Sequence, residues 1–361
     1  MSELTKLSDS RADLRARLLA TVCSAGLFAA TCASTPGMAS SEDRPTVWVE
    51  LGGGFAQQQD DQQAYLPPFV LGSPPAPFVA QSPAIVEKNT PYSWDSDAKI
   101  SFEPEGSDWV FSAAIRYGRN IADRSLTQRT AQQYVGPYRR SGYFAYQNVT
   151  AKNIESHMLL DFKTGKDVGL GMFGDDGESV VSLGLRYAQF DSRSSAGIQY
   201  QPTNDLATVH RFFGTFTDAR KFVGLGPSLS WDASAGLIGN PQAGIVSLDW
   251  GMNGAILFGR QRTSGHHQTR EMSVLVVAGN QYVHPTPIYI TSGAPARSKQ
   301  VTVPNLGGFA GVSWRYPNAK VSMGYRADFF FGAMDGGIDA AKKENVGFYG
   351  PFASVSVGIG G

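Results

Sequence analysis

Apolar and polar residues alternate along much of this chain. Between residues 243 and 259, the even positions carry large apolar side chains such as Trp250 and Phe258, whereas the odd positions are mostly small or polar. A side-chain period of two places successive residues on opposite faces of an extended chain. The sequence therefore predicts a β-strand here, well beyond the usual length of about five or six residues.

The same alternation recurs and divides the chain into a series of predicted strands. A polar second face can meet water outside a β-sandwich or inside a membrane barrel. The barrel is favoured because several segments are long enough to cross about 25 Å of hydrocarbon, and because aromatic residues gather near segment ends. We therefore predict an all-β fold, a closed antiparallel transmembrane β-barrel of about 12 strands, within a range of about 10 to 14. The predicted strands are 46–56, 98–104, 108–118, 152–163, 178–190, 208–217, 221–234, 243–261, 270–283, 301–316, 319–331 and 346–359.

Connection lengths predict the orientation of this barrel. If the first strand starts in the periplasm, the outer connections come out longer than the periplasmic ones, as in bacterial outer-membrane barrels. The two longest outer loops are predicted at 57–97 and 119–151. Loop 57–97 contains a proline-rich stretch that cannot pair in a sheet. It is interpreted as a surface loop, with a fold into the barrel mouth as the alternative.

Residues 1–39 have the three parts of a secretory signal peptide, which leaves 40–361 for the barrel. Basic residues precede an uncharged apolar run, and Gly37 and Ala39 frame a cleavage site before Ser40. A membrane anchor is the alternative, but the run is shorter than the roughly 20 residues that a spanning helix needs. Export without a later membrane helix is typical of a periplasmic, secreted or outer-membrane protein. The alternation favours the bacterial outer membrane.

Composition narrows the class of protein further. The 361 residues include 31 basic and 31 acidic side chains, and 17% are charged, against about 25% in soluble domains. The zero net charge and the 11% of aromatic residues disfavour a disordered chain and a nucleic-acid binder. Both cysteines lie within residues 1–39, so we expect no disulfide framework.

The sequence contains no motif that is typical of an enzyme. The Gly-x-Ser-x-Gly, His-Glu-x-x-His and Walker patterns are absent. His266 and His267 are adjacent in a predicted turn, but a metal site needs three or four converging ligands. We therefore expect no catalytic residue, no metal and no cofactor.

The polar faces of the predicted strands define the interior of the barrel. Isolated charges in a protein interior are costly, so these side chains must either pair or meet water. A water-filled lumen of mixed sign would pass small polar solutes with little ionic preference, whereas a paired network would seal it. The charged residues predicted to line the lumen are Glu50, Arg116, Glu155, Asp161, Lys163, Arg186, Asp232, Asp249, Arg315, Lys320, Arg326 and Asp328.

Several glycine-rich motifs in the second half of the chain resemble one known family. The family is the Legionella-type major outer membrane protein family. Residues 220–229 resemble its F-x-G-x-G-P element, and residues 184–187 resemble its G-L-R-Y strand. Residues 324–337 resemble its penultimate strand and loop, and residues 347–358 resemble its closing strand. The resemblance implies a pore-forming outer-membrane β-barrel and carries over no catalytic residue. The chain ends in Ile-Gly-Gly, without the terminal aromatic residue that many barrels present to the assembly machinery.

These features together predict a porin-like outer-membrane protein that gives small polar solutes passive passage. The expected partners are outer-membrane lipid and lipopolysaccharide, the barrel assembly machinery and the solutes, with no nucleic acid. The oligomeric state is left open. The first alternative is a non-conducting surface barrel whose loops bind host or surface ligands. The others are an outer-membrane hydrolase and a secreted β-sandwich.

Overall fold

The part of the chain that the structure describes is built from β-strands. The computed structural model describes residues 47–59, 92–104, 107, 109–132, 143–168, 178–201, 208–240, 243–277, 280–283, 289–291, 296–336 and 343–359. No helix within these ranges is long and apolar enough to cross a membrane. The predicted signal peptide, residues 1–39, lies outside them and stays a prediction. The strands are β1 (Val47–Gln59), β2 (Ser93–Phe102), β3 (Trp109–Gln132), β4 (Tyr143–Asp167), β5 (Glu178–Gln201), β6 (Thr208–Asn240), β7 (Gly244–Val277), β8 (Asn280–Val283), β9 (Tyr289–Thr291), β10 (Ala296–Tyr316), β11 (Ala319–Asp335) and β12 (Lys343–Ile359).

Strand pairing closes the sheet into a barrel. Each strand from β1 to β7 pairs with the next one, β7 pairs with β10, and β10, β11 and β12 follow in order. β12 then pairs with β1 across the register Val47↔Ile359, and all pairings are antiparallel. The predicted closed antiparallel β-barrel is therefore confirmed. Closure leaves no unpaired edge along the ring.

The ring contains ten strands rather than the expected twelve, because two predicted turns are continuous strand. The predicted strands 208–217 and 221–234 form the single strand β6, and 243–261 joins most of 270–283 in β7. Polar residues between these segments are typical of turns and are the reason for the predicted breaks. In the structure the β6–β7 ladder runs straight through them, with Asp218 opposite Gly265 and Lys221 opposite Arg262. The short strands β8 and β9 pair only with the far part of β7.

The two long loops are also shorter than predicted. β1 continues to Gln59 and β2 begins at Ser93, so loop 57–97 loses residues at both ends. In the same way β3 runs to Gln132 and β4 begins at Tyr143, which places most of 119–151 in a hairpin. The proline-rich stretch itself lies outside the described residues. Polar residues form strand here because antiparallel pairing needs only backbone groups and tolerates water on the outer face.

The two shortest connections of the ring lie at one end of the barrel, together with both ends of the described chain. β10 and β11 are joined by the Pro317–Asn318 turn, and β6 and β7 by residues 241–243. Gly239 and Gly244 flank the second turn with φ of 130° and 92°, a backbone region that favours glycine. We call this the turn end. The opposite end, where strands such as β6 and β7 reach furthest, is the loop end.

Side chains on the two sheet faces differ as the alternation predicts. On β7, Phe258 is 61% exposed on the outside, whereas its neighbour Leu257 is completely buried inside the barrel. The outward positions of the other strands also carry exposed apolar side chains. They include Phe55, Ile100, Phe162, Leu183, Leu185, Leu225, Leu229, Met252, Ile256, Leu306, Met323 and Val355, which together form an apolar belt.

Candidate functional site: a filled barrel lumen

All the charged residues predicted to line the lumen lie on strand faces opposite the apolar belt. Because side chains alternate along each strand, an outward apolar residue directs its two neighbours inward. Five of these charged residues are buried, namely Arg116, Glu155, Arg186, Asp249 and Asp328. The other seven are half-buried, namely Glu50, Asp161, Lys163, Asp232, Arg315, Lys320 and Arg326.

Arg116 on β3 is the centre of a buried charge network in the middle of the lumen. Its guanidinium contacts a carboxylate oxygen of Asp95 at 2.7 Å and one of Asp328, across the barrel, also at 2.7 Å. His157 Nε2 lies 3.2 Å from the second oxygen of Asp95. A buried arginine that touches two carboxylates is held by charge-assisted hydrogen bonds, which are about twice as strong as neutral ones. This network links β2, β3, β4 and β11 through the barrel interior.

Arg186 on β5 links four strands in the same way. Its Nε and Nη2 atoms donate to the two oxygens of Asp161 at 2.7 and 2.9 Å, a bidentate pair. Its Nη1 atom donates to Asn253 Oδ1 at 2.6 Å and also to Asn305. These side chains come from β4, β5, β7 and β10, so the interaction spans the width of the lumen.

A third group of ion pairs lies nearer the turn end. Lys320 Nζ lies 2.6 Å from Asp249 Oδ2, and Arg315 Nη2 donates to Ser234 Oγ at 2.7 Å. Arg315 also lies 3.3 Å from Glu178. Predicted lumen residues therefore meet one another here, as in the Asp161–Arg186 and Arg116–Asp328 pairs.

A layer of apolar side chains crosses the lumen on the loop-end side of these charges. Phe190 packs on Phe222, Phe330 and Phe348 with ring centroids 5.7, 4.7 and 5.5 Å apart. Each of these rings is at most 2% exposed. The layer is completed by Leu159, Leu257, Val303, Met334 and Val346. Apolar side chains that fill the interior leave no room for a continuous column of water. We call this layer the aromatic plug.

Beyond the aromatic plug, Arg220 on β6 makes further polar contacts inside the barrel. It is 2% exposed, and its Nη1 atom donates to Glu344 at 2.5 Å and to the Asp335 carbonyl at 3.0 Å. The Asp335 carboxylate in turn contacts Lys299 Nζ at 2.9 Å and pairs with Arg297.

Asp335 ends β11, beyond Phe331, the last exposed apolar residue of that strand. Burial opposes the ionisation of this carboxyl. The hydrogen bonds and positive charges of Arg297 and Lys299 outweigh the effect of burial and hold the pKa of Asp335 below its ordinary value. At neutral pH the group is therefore a carboxylate that ties β10 to the end of β11.

Two important carboxylates fall within the predicted loop 57–97. Asp95 and Asp97 lie on β2, whereas the sequence predicts that this strand begins at residue 98. Asp97 pairs with Arg326 at 2.6 Å, and this arginine also lies over the ring of Phe352 at 4.6 Å. The alternation could have extended this predicted strand, because Trp94 and Ser96 continue the outward positions 98, 100 and 102 towards the start of the chain.

The sequence pattern does not predict most of the aromatic plug either. Phe190, Phe222 and Phe348 have no predicted role in the lumen, and Leu257 falls among the mostly small or polar odd positions of 243–259. The signal was a large apolar residue on the otherwise polar face of several strands. Pairing then brings two of them together, since Phe190 lies directly opposite Phe222.

Comparison with known proteins gives only distant similarity. No family model matches the sequence, and no curated protein matches it. Among solved structures, the chain is similar to the transport unit of the autotransporter AIDA-I from Escherichia coli, at 8% identity over 90% of this chain and 93% of that one, with a TM-score of 0.26. A bacterial polysaccharide outer membrane secretin gives 8% identity, 88% and 99% coverage and a TM-score of 0.20. The toluene transporter TbuX from Ralstonia pickettii gives 11% identity over 89% of this chain and 90% of that one, with a TM-score of 0.16. Likeness this weak adds nothing about function, and the closed barrel rests on the strand pairing itself.

Proposed function

We propose that this protein is an integral β-barrel of the bacterial outer membrane. The apolar belt supports this placement, because soluble proteins rarely expose contiguous apolar surface of this extent. A closed barrel also satisfies every backbone hydrogen bond along the ring, which a lipid environment requires. Short connections typically face the periplasm. The turn end is therefore assigned to the periplasm and the loop end to the cell exterior.

Within that membrane placement, we propose that the barrel is non-conducting and acts through its outer end as a surface-binding protein. The observation that carries this proposal is the aromatic plug, stacked between buried charge networks across the lumen. The outer end offers a large surface, since β6 and β7 contain 33 and 34 residues. A strand needs only about 9–11 residues to cross the membrane. The remainder stands beyond the belt as an extended β-structure.

Porin-like passage of small polar solutes is the second candidate function. The observation that favours it is the file of mixed charges along the lumen, from Lys320 and Asp249 to Arg116 and Asp95. The motif resemblance to a pore-forming family supports the same function. Passage would require the aromatic plug to move aside, because its rings fill the cross-section between the charge networks.

Conductance across planar bilayers separates the two candidates. We expect purified, folded wild-type protein to be nearly silent, and the Phe190→Ala/Phe348→Ala variant to open measurable channels. The control Phe329→Ala/Phe331→Ala removes two outward rings and should stay silent. Steady channels from the wild type would overturn the non-conducting proposal in favour of a porin. If the double variant fails to fold, Phe348→Ala alone provides the same comparison.

We further propose that the protein has no enzymatic role. The Asp95–His157 pair has the chemistry of an acid–base dyad, but both side chains are only 2% exposed and lie beneath the aromatic plug. A substrate would have no path to them in this conformation. Lipase and protease assays on the folded protein should therefore give no turnover above that of His157→Ala.

A further inference from the structure

The outside of the barrel carries a cluster of basic side chains just beyond the apolar belt. Arg193 on β5, Lys221 on β6, and Arg260 and Arg262 on β7 all lie on outward positions of adjacent strands, and we call them the basic face. The three arginines are exposed, and the Lys221 side chain is 42% exposed. None of these residues belongs to the lumen networks described above.

The register of the strands brings these charges close together. Lys221 lies directly opposite Arg262, and Arg260 follows on the same face of β7. Side chains directly opposite each other in an antiparallel sheet have Cβ atoms about 4.5–5.5 Å apart, and like charges in such positions repel. Asp191 is an acidic neighbour, and its carboxylate lies 3.6 Å from Lys221 Nζ. Within the described part of the chain, Arg193, Arg260 and Arg262 form no ion pair.

The basic face is concave rather than flat. A groove of about 390 Å³ runs between the strands and is lined by Arg193, Lys221 and Arg262 together with Asp191 and Ser298. Several positive side chains around a groove attract a multiply charged anion more strongly than the same charges dispersed over a convex surface. Arginine in particular matches the geometry of phosphate through paired N–H donors.

The position of this groove relative to the apolar belt indicates which anion it would meet. Arg260 and Arg262 follow Phe258 on the same face of β7, so they lie about 7 and 14 Å further along the strand. β6 runs in the opposite direction, so Lys221 lies on the loop-end side of Val223 and Leu225 on the same outward face. The basic side chains therefore begin where the exposed apolar side chains end. In a bilayer, this is the level of the phosphate groups in the outer leaflet.

We propose that the basic face binds the phosphate groups of the outer-leaflet glycolipid, lipid A, whose acyl chains lie against the apolar belt below it. This inference rests on the membrane placement proposed above and names a lipid partner for the outer half of the barrel. Bound phosphates relieve the repulsion between Lys221 and Arg262 and give the arginines their counter-charge. The acyl chains cover Phe258 and Leu225.

Native mass spectrometry of the full-length protein, released from nanodiscs, tests the proposal. The probes are bis-phosphorylated lipid A, dephosphorylated lipid A and inorganic phosphate. The wild type should bind the bis-phosphorylated form preferentially. The variant Arg260→Gln/Arg262→Gln should bind it about tenfold or more weakly, since even one charged hydrogen bond contributes a factor of this order. Millimolar inorganic phosphate should not compete, because it lacks the acyl chains.

The matched control is Arg119→Gln/Lys166→Gln. It removes two exposed, outward charges from β3 and β4, outside the groove, and should keep wild-type affinity. Equal binding of the two lipid forms, equal loss in both variants, or full competition by inorganic phosphate would overturn the inference. Nanodisc insertion is measured separately on the same samples. A protein that inserts without discriminating refutes only this inference, whereas a protein that does not insert refutes the proposed function as well.

Discussion

At the scale of single residues, the buried charges Arg116, Arg186, Asp249 and Asp328 inside the barrel are held by protein partners. Arg116 is the clearest case, because it is buried and contacts both Asp95 and Asp328. Bringing such charges out of water is costly, so an arrangement of this kind persists only while every member keeps its partner. Single substitutions therefore separate interior charges from exterior ones.

Replacing the buried Arg116 should strongly destabilise the barrel. Arg116→Met leaves two carboxylates facing each other without a cation, and we expect a loss of about 3–5 kcal/mol in the free energy of unfolding. Tryptophan fluorescence during urea unfolding of the vesicle-inserted protein measures it. Arg119→Met, three residues along the same strand but outward and exposed, is the control. Equal unfolding midpoints for the two variants would contradict the description of the network.

Asp335 predicts an acid-sensitive loop end. Because its folded-state pKa is below the ordinary carboxyl value, it stabilises the structure above about pH 4, and this contribution is lost as pH falls from there through the folded pKa. The protection of amide hydrogens near the start of β10 and the end of β11, measured relative to the intrinsic exchange rate at each pH, should fall in that window. Asp335→Asn should show this low protection already at pH 7, with no further step on acidification. An unchanged pH profile in this variant would refute the role of the carboxylate.

At the scale of elements, the close approach of two strands depends on glycine, which has no side chain. Gly226 on β6 faces inward, where a Cβ atom would lie only 1.8 Å from the backbone oxygen of Ile256 on β7. A contact that short with backbone cannot be relieved by rotating a side chain. The β6–β7 pair is the longest ladder of the barrel, so its closeness here affects the whole wall.

Gly226→Ala should therefore force β6 and β7 apart and lower stability by about 1–3 kcal/mol, as overpacking does in other cores. The matched control is Gly254→Ala on the partner strand, where the nearest atom to the added Cβ is 3.6 Å away. The yield of folded barrel, read from heat-dependent migration on gels, checks the difference. Equal yields would show that the wall accommodates the extra carbon.

At the scale of the whole molecule, the barrel has two unlike ends. The two shortest connections are at the turn end, whereas β6 and β7 extend well past the apolar belt at the opposite end. A uniform tube of membrane height would leave little surface for recognition. Under the proposed orientation, the basic face and any surface ligand would lie in the same outer half of the barrel.

The orientation is testable with engineered cysteines on intact cells. Lys343→Cys at the loop end should react with a membrane-impermeant maleimide, whereas Ser107→Cys at the turn end should react only after the outer membrane is permeabilised. The unsubstituted protein is the control, because its two cysteines lie within residues 1–39, the predicted signal peptide, and should be absent from the exported barrel. The reverse labelling pattern would invert the proposed orientation and remove the basic face from the outer leaflet.

The sequence by itself determined the local geometry of this protein. A period of two along β7 or β11 reports which residues point outward, since the two faces of a strand meet different surroundings. It also placed Arg186 and Asp161 on the inward face. These properties depend on neighbours along one strand, and alternation records them directly.

Only the tertiary structure decided how many strands close the ring and whether the lumen is filled. The sequence does not predict the continuation of β6 and β7 beyond the belt. Polar residues there are typical of turns, and only the pairing with a partner strand makes them part of the sheet. The aromatic plug joins Phe190, Phe222, Phe330 and Phe348 from four strands, and their meeting depends on register and barrel size. Those quantities are set by pairing between distant parts of the chain, which no local pattern contains.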